Sequence, residues 1–141
     1  MTNETVIFAY EYNSQEPRFY SKYFEKWNPA SYDLPVGNAT GASSAAPAYF
    51  DPKANINKYN MNEILIDGGI ICNNPAFYSY MIANYFHNQK DVNKIRILSL
   101  GTGEKPFEKV DAETMNIAQF MSKQGEFMMN MDVYTQHNVL K

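Results

Sequence analysis

Asp67, Gly68 and Gly69 follow directly on the apolar run Ile64-Leu65-Ile66. A short continuous run of that kind reads as a strand buried on both faces, and a carboxylate at its C-terminal end sits where open α/β sheets bind ligands. Two glycines let the backbone turn steeply and let another group approach closely. An ordinary aspartate, ionised at neutral pH, is a weak acceptor for a hydroxyl proton, so proton transfer has to accompany attack by the hydroxyl. Asp-Gly-Gly also describes a plain turn in which the Asp side chain bonds its own backbone, so the triplet alone leaves both readings open.

Other groups capable of chemistry have less support. Gly41-Ala42-Ser43-Ser44-Ala45 imitates the Gly-X-Ser-X-Gly elbow of serine hydrolases, but an elbow serine follows a buried strand. Residues 32–40 contain Pro35, Gly37 and Asn38 and no run of β-formers, so Ser43 and Ser44 are decoys. His87 and His137 have no serine or acid at triad-like spacing and read as solvated. Gly101-Thr102-Gly103-Glu104-Lys105-Pro106 lacks the third glycine of a dinucleotide fingerprint and reads as a loop after a strand. Cys72 is alone, so the chain can form no internal disulfide and no cysteine-based zinc site. No metal cluster is visible, and no cofactor is expected.

The elements that must position these groups follow from local pattern. Residues 6–12 are β-branched and aromatic, residues 13–17 form a turn cluster, and 18–23 resume the pattern, which predicts a hairpin. The small-residue run Ala39 to Ala46, ended by Pro47, predicts a short, tightly packed helix. Asp51 to Asn62 is polar and amide-rich and reads as an exposed loop. Asn74 is suited to cap a helix and Pro75 to its first turn, so a helix is expected from Pro75 to about Asn88. Ile95 to Leu100 reads as a second buried strand, and strand, helix, strand implies a right-handed crossover joining a parallel pair. Beyond Asp111, apolar residues recur at helical spacing with Gly125 an interruption, and Met115, Met121, Met128, Met129 and Met131 give that helix an adaptable apolar face.

At 141 residues, 45% hydrophobic and 19% charged, the chain is the size of one domain and able to bury a core. A net charge of -3 with no basic cluster argues against nucleic acid as a partner. The longest apolar runs fall far below the roughly 20 residues that span a bilayer, so no transmembrane anchor is expected. The chain reads as cytoplasmic or peripheral to membranes.

Three segments, taken with the hairpin before them, resemble the patatin-like phospholipase family in order and spacing. Ala42 to Phe50 is similar to the family's Ala-Thr-Ser-Ala-Ala-Pro-Thr-Tyr-Phe segment, and Ile66 to Ile70 with Asn73-Asn74-Pro75 to its Asp-Gly-Gly motif and helix start. Ile97 to Gly103 looks like its last core strand, and the hairpin like the strand pair that precedes these segments. The resemblance covers residues 6–103. It implies an α/β fold, a partial three-layer α/β/α sandwich with parallel core strands, an N-terminal hairpin and a C-terminal helical extension. Residues 1–110 would be the C-terminal part of the domain and 111–141 the extension.

The activity implied is lipid acyl hydrolysis by a Ser-Asp dyad without metal, on acyl esters at a membrane or lipid-droplet surface. By the same match Asp67 is the proton acceptor, with Gly68 and Gly69 supporting the motif, while Ser43 and Ser44 fall in a segment beside the site. The family's oxyanion loop and nucleophile elbow lie upstream of the hairpin, so the nucleophilic serine is expected to be absent from these residues and the isolated chain to be inactive. The rival expectation is a non-catalytic patatin-derived binding or interaction remnant. Geometry separates the two: a catalytic Asp67 should sit at the edge of a parallel pair with no Lys or Arg within about 4 Å, whereas a structural one should be capped by a cation or bonded to its own loop amides.

Overall fold

The computed structural model of the chain describes residues 5–21, 34–86, 91–101 and 103, together with 116–118, 123, 125, 130, 131, 133–135 and 138. The chain divides into two compact units, residues 1–73 and 74–141.

The first unit is a mixed α/β structure on a four-stranded sheet. The expected hairpin is formed by β1 (Ile7–Glu11) and β2 (Glu16–Tyr20), and is followed by α1 (Val36–Ser43), β3 (Lys53–Ile56), β4 (Asn62–Asp67) and the short α2 (Gly69–Cys72). The strand order is β2-β1-β4-β3 and every neighbouring pair is antiparallel. Ala9 lies in register with Arg18 on one side and with Asp67 on the other, and Leu65 with Glu11 and Lys53.

Helix α1 packs on the sheet through its alanines, and Ala39 and Ala42 join Ala9, Tyr20 and Leu65 in the buried core, with Ile7 and Leu34 against its rim. Alanine at the contact lets the helix backbone come close to the strands, and Leu65, fully buried, contributes about 1.5–3 kcal/mol by leaving water. On β1 and β2, Phe8 and Phe19 are cross-strand partners whose rings meet edge to face at 5.3 Å.

Charged groups are buried in this unit. Arg18 Nε donates to Glu63 Oε1 at 3.0 Å, joining β2 to β4 across β1, and Asn55 Nδ2 donates to Glu63 Oε2 at 3.2 Å from β3. Burial by itself would lower the pKa of Arg18, but the bonds to Glu63 and Glu16 outweigh it and raise the value. Glu11 accepts from the amides of Ile64, Asn13 and Ser14, which ties the β1–β2 turn to the start of β4. Burial by itself would push Glu11 up; those amide bonds outweigh it and hold the carboxyl below its ordinary range.

Two sequence expectations are corrected here. Asp51 to Asn62 is not simply a loop, because Lys53–Ile56 pairs with β4 as the edge strand of the sheet. The expected parallel core pair is not formed either: β4 pairs antiparallel on both sides, and residues 95–100 adopt no strand.

In the second unit, α3 (Ala76–Phe86) begins as the sequence predicts, with Ala76 N–H donating to Asn74 Oδ1 at 3.1 Å and Ser79 N–H to Pro75 O at 2.9 Å. A 3-10 turn follows at Val92–Lys94, where Asn93 N–H donates to Asp91 Oδ1. Leu98 and Leu100 are 82% and 84% exposed, so the apolar run 95–100 lies without the neighbours a buried strand needs. The residues at 117, 118, 123, 125, 130, 131, 133–135 and 138 are helical.

Candidate active site

Asp67 is the final residue of β4 and is half-buried. It lies in register with Ala9 of β1 on one side. On the other side its N–H donates to Ala45 O at 3.1 Å, and the Gly68 N–H donates to Ser43 O at 3.2 Å. The end of α1 and the residues just after it are thereby bonded to the Asp-Gly-Gly turn. Small side chains are what allow it, since Ala42 and Ala45 are both buried at this junction.

Gly68 is fixed as glycine by steric demand. Its backbone is ordinary, φ −67° and ψ −21°, but a Cβ there would stand 2.6 Å from the Phe8 carbonyl carbon and closer still to the Phe8 oxygen. The turn presses directly on β1. The Gly68 carbonyl accepts from Ile71 and Cys72, which winds the chain into α2 immediately after the carboxylate.

Asp67 Oδ1 accepts the Gly69 N–H at 2.9 Å. A Cβ on Gly69 would meet Asn73 Oδ1 at 3.3 Å, Asp67 Oδ1 at 3.3 Å and Asp67 Oδ2 at 3.4 Å. The carboxylate and the Asn73 amide thus crowd the same open side of Gly69. Ion pairs among the described residues join Arg18 to Glu16, Arg18 to Glu63 and Lys94 to Asp91, and none involves Asp67. Among the described residues no cation caps Asp67, while one of its oxygens is engaged with its own loop.

Ser43 is the last residue of α1, and Ser44 is exposed with its Oγ donating to Thr40 O at 2.9 Å. The residues leading into α1 are Leu34 and Pro35, the latter at the helix N-cap, and no strand delivers either serine to a sharp turn. Cys72 is buried at the end of α2. His87, His137 and Thr102 lie outside the described residues. Gly103 is described, at φ +104°, a conformation suited to glycine. Among the described residues no group of His, Cys, Asp and Glu is placed to hold a metal ion, and no helix is long and apolar enough to cross a membrane.

Sequence reading did not single out Asn73 as a site residue or the Ser43 and Ala45 carbonyls as anchors of the turn. Main-chain carbonyls carry no residue-type signal. For Asn73 the signal was present: it is four positions after Gly69, and residues four apart share a helix face.

No family model matches the chain. It is similar to Patatin-like protein 2 of Arabidopsis thaliana, 31% identical over 132 residues, an alignment that takes in 80% of this chain and 31% of that protein. The chain thus spans about a third of the length of this relative, and the similarity suggests the patatin family.

Proposed function

We propose that these residues are the C-terminal part of a patatin-like lipid acyl hydrolase in which Asp67 is the proton acceptor of a Ser-Asp dyad. The observation that carries this reading is the hydrogen bonding between the two segments that most resemble the family's motifs. Residues 42–50 and 66–75 meet at Asp67 N–H to Ala45 O and Gly68 N–H to Ser43 O. The serine, outside these residues, would attack the acyl carbon as its proton passes to Asp67; the proton then goes to the departing alcohol, and water releases the fatty acid by the same route. Asp67 Oδ1 is oriented by Gly69, which leaves Oδ2 as the oxygen to take the proton.

The substrates in this reading are acyl esters at a membrane or lipid-droplet surface. The test is the coding sequence upstream of Met1 together with the activity of the protein it extends. A Gly-X-Ser-X-Gly segment after a strand, and ester hydrolysis by the extended protein, are expected.

A second reading, a patatin-derived module without catalysis, is favoured by one observation. Asp67 Oδ1 bonds its own loop amide, as a plain turn residue would, on a strand whose neighbours are antiparallel. An upstream region with no elbow, and no hydrolysis by the extended protein, would support it.

A further inference from the structure

Strands β3 and β4 form a hairpin in which Ala54 lies in register with Ile64 and Ile56 with Asn62. Residues 57–61 close it in a turn that binds its own amides. Asn57 is buried, and its Oδ1 accepts the N–H groups of Tyr59 and Met61 at 3.0 and 3.1 Å. The Asn57 N–H donates to Met61 O at 3.0 Å, and the Asn60 N–H to Asn57 O at 2.9 Å. Asn60 takes φ +61°, the left-handed conformation that asparagine tolerates.

The side chains this turn presents are not those of an ordinary polar loop. Ile56, Tyr59 and Met61 are 62%, 53% and 54% exposed. Ile64 is exposed as well, and strand alternation puts it on the sheet face that carries Ile56, opposite the face on which Glu63 and Leu65 are buried. Lys58 Nζ stands 5.5 Å from the centre of the Tyr59 ring. Lys53 and Lys58 are the only charged residues from 53 to 62, and Glu63, next in the chain, is buried against Arg18. The tip is therefore locally cationic on a chain of net charge -3.

A segment that enters the apolar edge of a membrane must satisfy its own amides, because no water is there to do so. Tyrosine sets an apolar ring and a polar tip across such a boundary, and lysine lays its stem along apolar groups while its ammonium stays among the headgroups. We propose that the β3–β4 turn is a docking tip for an anionic lipid surface, with Ile56, Tyr59 and Met61 entering the interfacial zone and Lys58 meeting the headgroups. Closed amides leave the tip only apolar and cationic contacts to offer, which are the contacts such a surface takes. The proposal rests on the lipid-ester reading above and adds to it the place where the protein meets the lipid. β4 runs from this end to Asp67, about 17 Å by strand rise, so a surface held at the tip leaves the Asp67 turn uncovered.

The test is co-sedimentation of the 141-residue chain with vesicles of equal parts phosphatidylcholine and phosphatidylserine, and with vesicles of phosphatidylcholine alone. Wild type should bind the anionic vesicles more strongly. Tyr59→Ser with Met61→Ser should weaken that binding at least about tenfold. Lys58→Gln should weaken it about fivefold, the effect of one lysine at a charged surface, and leave binding to phosphatidylcholine unchanged. Leu98→Ser with Leu100→Ser removes two side chains that are still more exposed and should leave binding as it is.

The proposal is overturned if wild type binds neither vesicle or both equally, or if the tip variants, folded by circular dichroism, bind as wild type does. It is overturned equally if the Leu98 and Leu100 variant loses as much binding as the tip variants. Oligomers in sedimentation equilibrium that Tyr59→Ser with Met61→Ser dissociates, without vesicle binding by wild type, would make the turn a protein contact instead. If the double variant does not fold, Lys58→Gln decides. No ester is cleaved in any of these assays, so a failure here is distinct from a failure of the hydrolase reading, which ester hydrolysis by the extended protein decides.

Discussion

Gly68→Ala is the sharpest probe of how the Asp67 turn is built. The new methyl would lie 2.6 Å from the Phe8 carbonyl carbon, while carbon atoms in good contact stay about 3.5–4.0 Å apart, so it intrudes by about 1 Å. Phe8 cannot yield easily, because β1 is held by β2 on one side and β4 on the other. Overpacking of this kind costs typically about 1–3 kcal/mol, and here the obstacle is backbone. The backbone angles suit alanine, so the substitution also gains about 0.4–1 kcal/mol by restricting the unfolded chain.

The net expectation for Gly68→Ala is a loss of about 2 kcal/mol, read as a drop of several degrees in Tm or a lower urea midpoint at unchanged m-value. Gly37→Ala is the control. It lies within α1 with no atom within 4 Å of its would-be Cβ, so it should gain up to about 1 kcal/mol from helix propensity. Gly69→Ala should fall between the two, because the groups it meets are side-chain oxygens that can move. A Gly68→Ala variant within about 0.5 kcal/mol of wild type would refute the close approach of the turn to β1.

Arg18→Met should destabilise the chain by about 3–5 kcal/mol in chemical unfolding because it leaves Glu63 buried without its charge partner; Arg18→Met with Glu63→Leu should recover most of that loss. The Glu11 carboxyl is held below its ordinary value of 4.5, so its contribution is fully present above that value and is lost as pH falls through the lowered folded value. Acid unfolding followed by circular dichroism should therefore shift to higher pH and lose part of its steepness in Glu11→Gln. Serine-directed fluorophosphonate should not label the folded 141-residue chain at Ser43 or Ser44, since one ends α1 and the other is bonded back to Thr40; stoichiometric modification of either in mass spectrometry would reverse that assignment.

The hairpin, β4 and the start of α3 were legible because each is written in local chemistry: alternating β-formers around a turn, a run of Ile and Leu, and Asn-Pro before a helix. β3 was not, because an edge strand of four residues with Lys53 and Asn55 shows no apolar pattern, and Asn55 contributes by bonding Glu63 instead of by burial. Arg18, Glu11 and Glu63 were missed for a related reason. Charged residues read as solvated, and only the three-dimensional pairing that lets them be buried distinguishes these.

The run 95–100 shows the opposite error. Apolar composition states a preference for burial but names no neighbouring strand, and here the leucines remain exposed. At the site, Asp67 and the two glycines were readable from type and position, whereas Asn73 required the helical offset from Gly69 that α2 supplies. The Asp-Gly-Gly turn was legible as a motif, but its support came from the carbonyls of Ser43 and Ala45, which any residue type could have offered.

The central claim is that Asp67 takes the proton of a serine in lipid acyl hydrolysis. The direct measurement is steady-state hydrolysis of an acyl ester by the extended protein carrying the rest of the domain, with wild type compared to Asp67→Asn at matched folding stability. The amide is nearly isosteric and can still accept the Gly69 N–H, but it cannot hold the serine proton. The account predicts a fall in kcat of at least about 100-fold with unchanged thermal unfolding. An Asn variant that keeps near-wild-type turnover and stability would contradict it and leave Asp67 a residue of the turn alone.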